Sequence, residues 1–370
     1  MLVSILIFLL VLSILILVHE LGHFIVARRA GVKVEEFGFG IPPRLIGKKI
    51  GETIYSINAL PFGGFVRLHG ENYEEGITDP KRAFLNKSKK VRVMVIVAGV
   101  IMNVLLAVVA FAIVYSFSGI PRETGKLKVI DVATGSPAQV AGIIVGDVIT
   151  KIGKDTVTSS DDFAGKITAS KGKRTVFEIQ RTTGDQSSPV KITLTPRENP
   201  PQEEGSIGIT YTTMEIYYPP VWQRPFYGIY FGFKDALFWG QTIAVGLWGL
   251  IAGIFKGQTP QGVSGPVGIF AVTTEAAKGG VLMLINFLGI LSVNLAILNI
   301  LPFPALDGGR ILFIGIEAVT GRKVSPKVEG VIHNIGMIIL LMLMLAITIG
   351  DIRRLITFGG IQGFLNSMVK

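Results

Sequence analysis

Residues Leu2 to Val18 are apolar at every position except Ser4 and Ser13, and the apolar character continues past His19–His23 to Ala27. About 20 apolar helical residues suffice to cross a bilayer, so this run confines the chain to a few membrane architectures. A signal peptide would open on basic residues and close on a small-x-small cleavage site. Neither flanks this run, which ends at Arg28 and Arg29, so residues 1–27 read as a first transmembrane helix. Composition agrees: 49% of the 370 residues are hydrophobic and the mean hydropathy is +0.55, values that soluble domains seldom reach. The net charge of +10 does not form one basic patch. Its Lys and Arg residues flank the apolar runs, as the positive-inside bias predicts, which argues against a nucleic-acid partner and for a lipid bilayer. With no cysteine in the chain, disulfides, thiolate metal sites and a cysteine nucleophile are excluded.

Residues 28–90 read as a polar, basic loop on the cytoplasmic side. Within it, Thr53 to Leu68 is partly alternating and β-prone, interrupted by Gly63 and Gly64, and predicts a hairpin or bent strand pair. A second span covers 91–118. Residues 121–200 change character to polar, Gly- and Thr-rich sequence with short β-type runs, enough for one small β-rich domain on the outer face, closed by Pro196, Pro200 and Pro201. A connector (201–280), a span (281–303), a cytoplasmic loop (304–329), a last span (330–350) and a C-terminal tail (351–370) follow.

His19-Glu20-Leu21-Gly22-His23 is an HExxH motif on a predicted helix. The i, i+4 spacing puts both imidazoles on one face, where they can share a Zn²⁺, and Glu20 beside them can take a proton from zinc-bound water. Ionisable groups in an apolar helix are costly and mark function by default, although a polar helix end near the headgroups would also hold them. A catalytic zinc wants a third protein ligand and an open position. Asp307, in Asn299-Ile-Leu-Pro302-Phe-Pro304-Ala-Leu-Asp307-Gly308-Gly309, is the candidate; the alternative is a helix-stop loop in which Asp307 caps the next helix.

Ala236–Phe255 is also apolar enough to span, giving five candidates. Parity argues for four. His19 and His23 lie toward the cytoplasmic end of the first span, about 25 Å along it at 1.5 Å per residue. Asp307 reaches them only if residues 281–301 run from outside to inside, so residues 226–255 read as an interfacial or re-entrant helical segment.

These residues resemble the site-2 protease family, in its bacterial regulator-of-sigma-factor branch. HExxH together with Asn299, Pro302, Pro304, Leu306, Asp307, Gly308 and Gly309 is a specific pair of motifs. Pro61-Phe62-Gly63-Gly64-Phe65-Val66, Ala98–Asn103 and Ser264–Ile269 agree, with Val100 standing where many relatives carry Pro. Ser136-Pro137-Ala138, Ala141-Gly142-Ile143 and Gly146-Asp147-Val148-Ile149 resemble a single PDZ domain. The resemblance implies a polytopic α-helical membrane protein with four transmembrane helices, a membrane-associated β-hairpin and an inserted PDZ domain. It implies a zinc metalloendopeptidase of the bacterial cell membrane that cuts within the transmembrane segment of a single-span protein, such as an anti-sigma factor or a remnant signal peptide. His19, His23 and Asp307 would hold zinc, with Glu20 as the base. Asn299, Gly63, Gly64, Phe65 and Val66 would contact substrate, and the PDZ domain could take a peptide or protein segment. For Asn103 the structural role, helix–helix hydrogen bonding, is the expectation.

Two other readings compete. Gly262-Val263-Ser264-Gly265 matches the GxSG of rhomboid-type serine proteases, with His333 as a partner, but it leaves HExxH unexplained. A membrane-tethered PDZ scaffold would leave a complete set of metal donors without use.

Overall fold

The computed structural model describes residues 2–71, 77–184, 186–201, 204–256 and 264–369, and divides into two compact units. Unit 1 comprises Met1–Phe117 and Pro220–Lys370, and unit 2 is the insertion Ser118–Pro219.

Unit 1 is helical. Its first helix, α1 (Leu2–Arg29), buries Val11, Leu15, His19 and Gly22, a stripe at spacings of three and four residues. Much of the rest of α1 is apolar and exposed, including Leu2, Val3, Leu6 and Leu10. The same holds for the second helix, α2 (Lys89–Ser118), and, after the insertion, for α5 (Arg224–Phe255), α7 (Val281–Ile300) and α9 (Pro326–Thr357). Among the described residues these five helices are long and apolar enough to cross a membrane. So large an exposed apolar surface is stable only in lipid, and the chain is a multi-pass membrane protein. Five qualify where four spans were expected, because hydropathy and length alone admit α5.

Between α1 and α2 lie two long strands, β1 (Val34–Ile50) and β2 (Thr53–Leu68). The hairpin expected inside Thr53–Leu68 is instead a single bent strand whose partner is Val34–Ile50. Both halves of β2 use that partner: Phe37 faces Val66 on one side and Tyr55 on the other, and Gly38 faces Phe65 and Ser56. Phe24 of α1, Phe37 and Tyr55 meet ring to ring, and with Val34, Leu68, Phe84 and Val95 they seat the sheet on α1 and α2.

The short helix α6 (Pro266–Lys278) and α8 (Asp307–Thr320) complete the bundle, with α10 (Ile361–Val369) at the C-terminus, so the expected loop and tail both carry helix. Two buried ionic contacts tie distant parts of the chain. Arg92 of α2 pairs with Glu317 of α8, where Lys89 also reaches the Glu317 carbonyl at 3.0 Å. Asp351 of α9, 1% exposed, accepts the backbone N–H groups of Gly265 (2.8 Å) and Gly268 (3.0 Å) at the start of α6. Those N–H groups have no intrahelical partner. This contact gives the Ser264–Gly268 stretch its physical role. Asp351→Ala leaves two buried donors unpaired at about 1–3 kcal/mol each. It is expected to lower the thermal midpoint in detergent, whereas Asp351→Asn, which keeps one acceptor oxygen, recovers part of the loss.

Unit 2 carries a six-stranded sheet. Its strands are β3 (Ile120–Val132), β4 (Val148–Ile152), β5 (Asp155–Thr156), β6 (Thr175–Thr183), β7 (Gln186–Leu194) and β8 (Ile209–Tyr217). The order is β7-β6-β4-β3-β8, with β5 paired to β4. The helices α3 (Pro137–Val140) and α4 (Ser160–Ala169) accompany it, and Leu127, Val129, Ile149, Phe177 and Ile179 form its core. The unit extends beyond the prolines at 196–201, because β8 returns to pair with β3, Ile120 opposite Tyr217. Asp147, almost fully buried, accepts from Ile144 N–H at 3.0 Å and from Arg181 at 2.7–2.8 Å, which pins the Gly146-Asp147 turn.

Candidate metal centre

The HExxH sequence lies in the last third of α1, where His19 and His23 share one face. Their Nε2 atoms stand 3.1 Å apart. Asp307, the first residue of α8, brings Oδ2 to 3.1 Å from His19 Nε2 and 3.3 Å from His23 Nε2. Four-coordinate zinc with bonds of about 2.0–2.1 Å has donors roughly 3.3–3.4 Å apart. The three donor atoms already form such a triangle. Oδ2 of Asp307 is buried and has no hydrogen-bond partner among the described residues, as suits an atom aimed at a cation.

Both rings are held from behind. His23 Nδ1 lies 2.8 Å from the Val95 carbonyl, which can only accept, so Nδ1 carries the proton and the Nε2 lone pair faces the triangle. His19 Nδ1 faces the Asn103 carboxamide at 3.3 Å. With the amide oxygen turned to Nδ1, it accepts that N–H and leaves His19 Nε2 free; turned the other way, Asn103 Oδ1 is buried without a partner. Separately, the backbone carbonyl of Asn103 accepts Ser292 Oγ–H at 2.8 Å, a tie between α2 and α7 that does not use the side chain. Reading Asn103 as a helix–helix residue alone missed its contact with His19.

Asp307 is placed by its loop. Ala305 sits at φ 78, the left-handed region, and donates its N–H to His333 Nδ1 at 3.0 Å. A Cβ at Gly308 would lie 2.0 Å from the Leu301 carbonyl oxygen, so only glycine lets the chain close this tightly behind Asp307. His333 is therefore a loop anchor. Ser264 lies at the Asp351 end of α9, about 27 Å along that helix from His333 at 1.5 Å per residue, so no Ser264–His333 pair forms. Gly262 and Val263 lie outside the described residues.

Gly99 of α2 faces the rings directly. A Cβ there would fall 2.5 Å from His23 Nε2 and 2.7 Å from His19 Cε1. Gly99→Ala must displace one imidazole. Zinc affinity is expected to fall about 10–100-fold, the loss seen when ligand orientation is disturbed, and zinc competition titration measures it.

Glu20 is the next residue of α1 after His19, and its Oε2 accepts Val66 N–H from β2 at 3.0 Å. Gly64 packs on α1 between Leu17 and Glu20, Gly63 is buried near Ile16, and the half-buried Phe65 lies against Gly38. The Asn299 amide nitrogen is 3.3 Å from His19 Nε2. The sequence-predicted residues thus converge on one place from α1, β2, α7 and α8.

A His-Glu-x-x-His helix with an aspartate closing the donor triangle defines a metallopeptidase type of site. The chain belongs to peptidase family M50, whose family model matches residues 7–343. It is 31% identical over 429 residues to zinc metalloprotease RasP of Geobacillus kaustophilus, covering 95% of this chain and 98% of that protein. It is 29% identical to the RasP of Oceanobacillus iheyensis, covering 94% and 98%. A Clostridium acetobutylicum protein, named only provisionally as a zinc metalloprotease, is 37% identical over 358 residues, covering 96% and 99%. Among solved structures, the PDZ domain of an SdrC-like protein from Listeria monocytogenes matches 25% of this chain and 94% of that domain at 27% identity, with a TM-score of 0.19.

Proposed function

We propose that this chain is a zinc metalloendopeptidase that hydrolyses a peptide bond within the transmembrane segment of a single-span membrane protein. The observation that carries the reading is the donor triangle of His19, His23 and Asp307 set among apolar helices, with the edge of β2 beside Glu20. Zinc held by these three residues would polarise the scissile carbonyl and acidify the attacking water. Glu20 takes the proton from that water and delivers it to the amine nitrogen as the C–N bond breaks. A transmembrane helix hides its carbonyls in its own hydrogen bonds, and once unwound in lipid it needs new backbone partners. The Gly63–Val66 stretch supplies them by pairing edge-on, and the Asn299 amide steadies the oxyanion.

Four crossings suit this reading better than five. The helix α5 starts beside the last turn of α2, where Ser116 Oγ donates to the Arg224 carbonyl at 3.3 Å. The helix α6 starts beside Asp351, about 27 Å along α9 from the level of the donor triangle, which is the same end of the bundle. Upright, the 32 residues of α5 would carry its far end about 48 Å away. The eight residues 256–263 reach at most about 29 Å. A tilted α5 closes the chain, its first half packed on α2 and α7 through Gly228, Gly232 and Ala236. We place the donor triangle toward the cytoplasmic side of a bacterial cell membrane, where the basic segments lie, and read residues 121–200 as an extracytoplasmic PDZ domain that screens substrates. The alternative of a PDZ scaffold has no use for the donor triangle.

The test is incubation of the purified protein in detergent with a single-span substrate, followed by mass spectrometry of the products. A cut inside the apolar segment, blocked by a chelator and restored by Zn²⁺, is the expected result. Cuts confined to the soluble flanks would remove the intramembrane part of the reading.

A further inference from the structure

The Gly64–Leu68 half of β2 pairs with β1 on one side, through Gly64–Phe39, Phe65–Gly38, Val66–Phe37 and Arg67–Glu36. Among the described residues no strand pairs with its other side, which is an edge. Along a strand the main-chain groups that face one edge recur every second residue, and here those of Val66 and Leu68 face away from β1. Neither N–H is free. Val66 donates to Glu20, and Leu68 donates to Glu71 Oε2 at 3.2 Å. Glu71 is itself clamped, since its other carboxylate oxygen pairs with Arg310. Arg310 is one turn beyond Asp307 on α8. A substrate strand adding to this edge can displace the Glu20 contact at Val66. At Leu68 it meets a carboxylate fixed by an ion pair from the helix that also carries the candidate metal ligand.

We infer that Glu71, held by Arg310, is a register stop: it ends the substrate-pairing edge at Leu68 and so fixes which bond of the substrate lies over the donor triangle. This rests on the reading that substrate pairs with the β2 edge. Glu71 and Arg310 are positioning residues. The stop is physically suited to its task, because strand pairing alone is satisfied equally well after a slip of two residues, which restores every side chain to its face. An apolar, repetitive transmembrane segment offers little side-chain information against that slip. A stop tied to the Asp307 helix keeps one register.

The experiment uses the full chain in detergent with a single-span substrate whose transmembrane segment is alternating Leu and Ala, products being mapped by mass spectrometry and zinc measured in each preparation. The wild type is expected to cut one principal bond. Glu71→Ala, with zinc retained, is expected to spread cleavage to bonds two residues away, with the ratio of principal to neighbouring cuts falling at least tenfold. Glu71→Gln keeps an oxygen acceptor for Leu68 N–H but loses the ion pair, so it is expected to spread cleavage less than Glu71→Ala does, and Arg310→Gln, which frees Glu71, is expected to spread it as well. A merely structural tie would change yield or stability without moving the cut by two. An unchanged single cut in Glu71→Ala overturns the register stop; should that variant lose zinc or fail to accumulate, an unchanged single cut in Arg310→Gln does so. A wild type that leaves the substrate whole overturns the peptidase reading itself, and the register stop with it.

Discussion

Glu20→Gln is expected to lower the rate of peptide-bond cleavage by about 10²–10⁴-fold, the range supplied by a positioned general base, while the protein still binds one zinc. The substitution is close to isosteric. Its amide oxygen can still accept Val66 N–H, which Glu20 Oε2 now does at 3.0 Å, so the seating of β2 on α1 should persist. What is lost is the capacity to take a proton from water and return it to the leaving amine. The loss should therefore fall on kcat, with KM nearly unchanged, because the amide still occupies the Val66 N–H that substrate must displace, as the carboxylate does. Single-turnover cleavage of a single-span substrate, with zinc content measured on the same samples, checks both halves. Cleavage at the wild-type rate would remove Glu20 from the chemistry.

Asp307→Ala is expected to weaken zinc binding by more than 100-fold and to abolish cleavage for that reason. Disturbing a group that only orients a ligand costs about 10–100-fold in metal affinity, and a ligand itself must cost more. The geometry explains why no neighbour can substitute. His19 and His23 close two corners of the triangle from α1, and the loop from Pro302 to Leu306 is shaped to bring one carboxylate to the third. Asn299 is near, with its amide nitrogen 3.3 Å from His19 Nε2, but a carboxamide is a weaker donor and carries no charge. Zinc competition titration measures the affinity. Asp307→Ala should leave the bundle folded, since the Ala305–His333 contact and the close approach at Gly308 do not involve the carboxylate.

The site was largely legible in the sequence because its chemistry is written locally. The spacing of His19, Glu20 and His23 is a helix-face statement, and the proline and glycine pattern around Asp307 announces a tight bend at a helix start. What supports these residues was not legible. Asn103 and Gly99 look like ordinary residues of an apolar helix, and only the crossing of α1 and α2 brings them to the imidazoles. The partner of β2 was missed because Val34–Ile50 carries Pro42, Pro43 and three Lys or Arg residues and lacks clean alternation, the usual sign of a half-buried strand. Contacts such as Glu71–Arg310 and Asp351–Gly265 join residues far apart in the chain, and no local pattern encodes them. The course of α5 is a matter of what its ends must reach, which hydropathy does not register.

The central claim is that His19, His23 and Asp307 hold one zinc ion, and zinc-edge X-ray absorption on the purified protein tests it most directly. One zinc per chain in a four-coordinate shell of nitrogen and oxygen, with outer scattering from two imidazoles, is expected, and is expected to be lost in Asp307→Ala. Zinc absent from the wild type, or a spectrum that Asp307→Ala leaves unchanged, would contradict it.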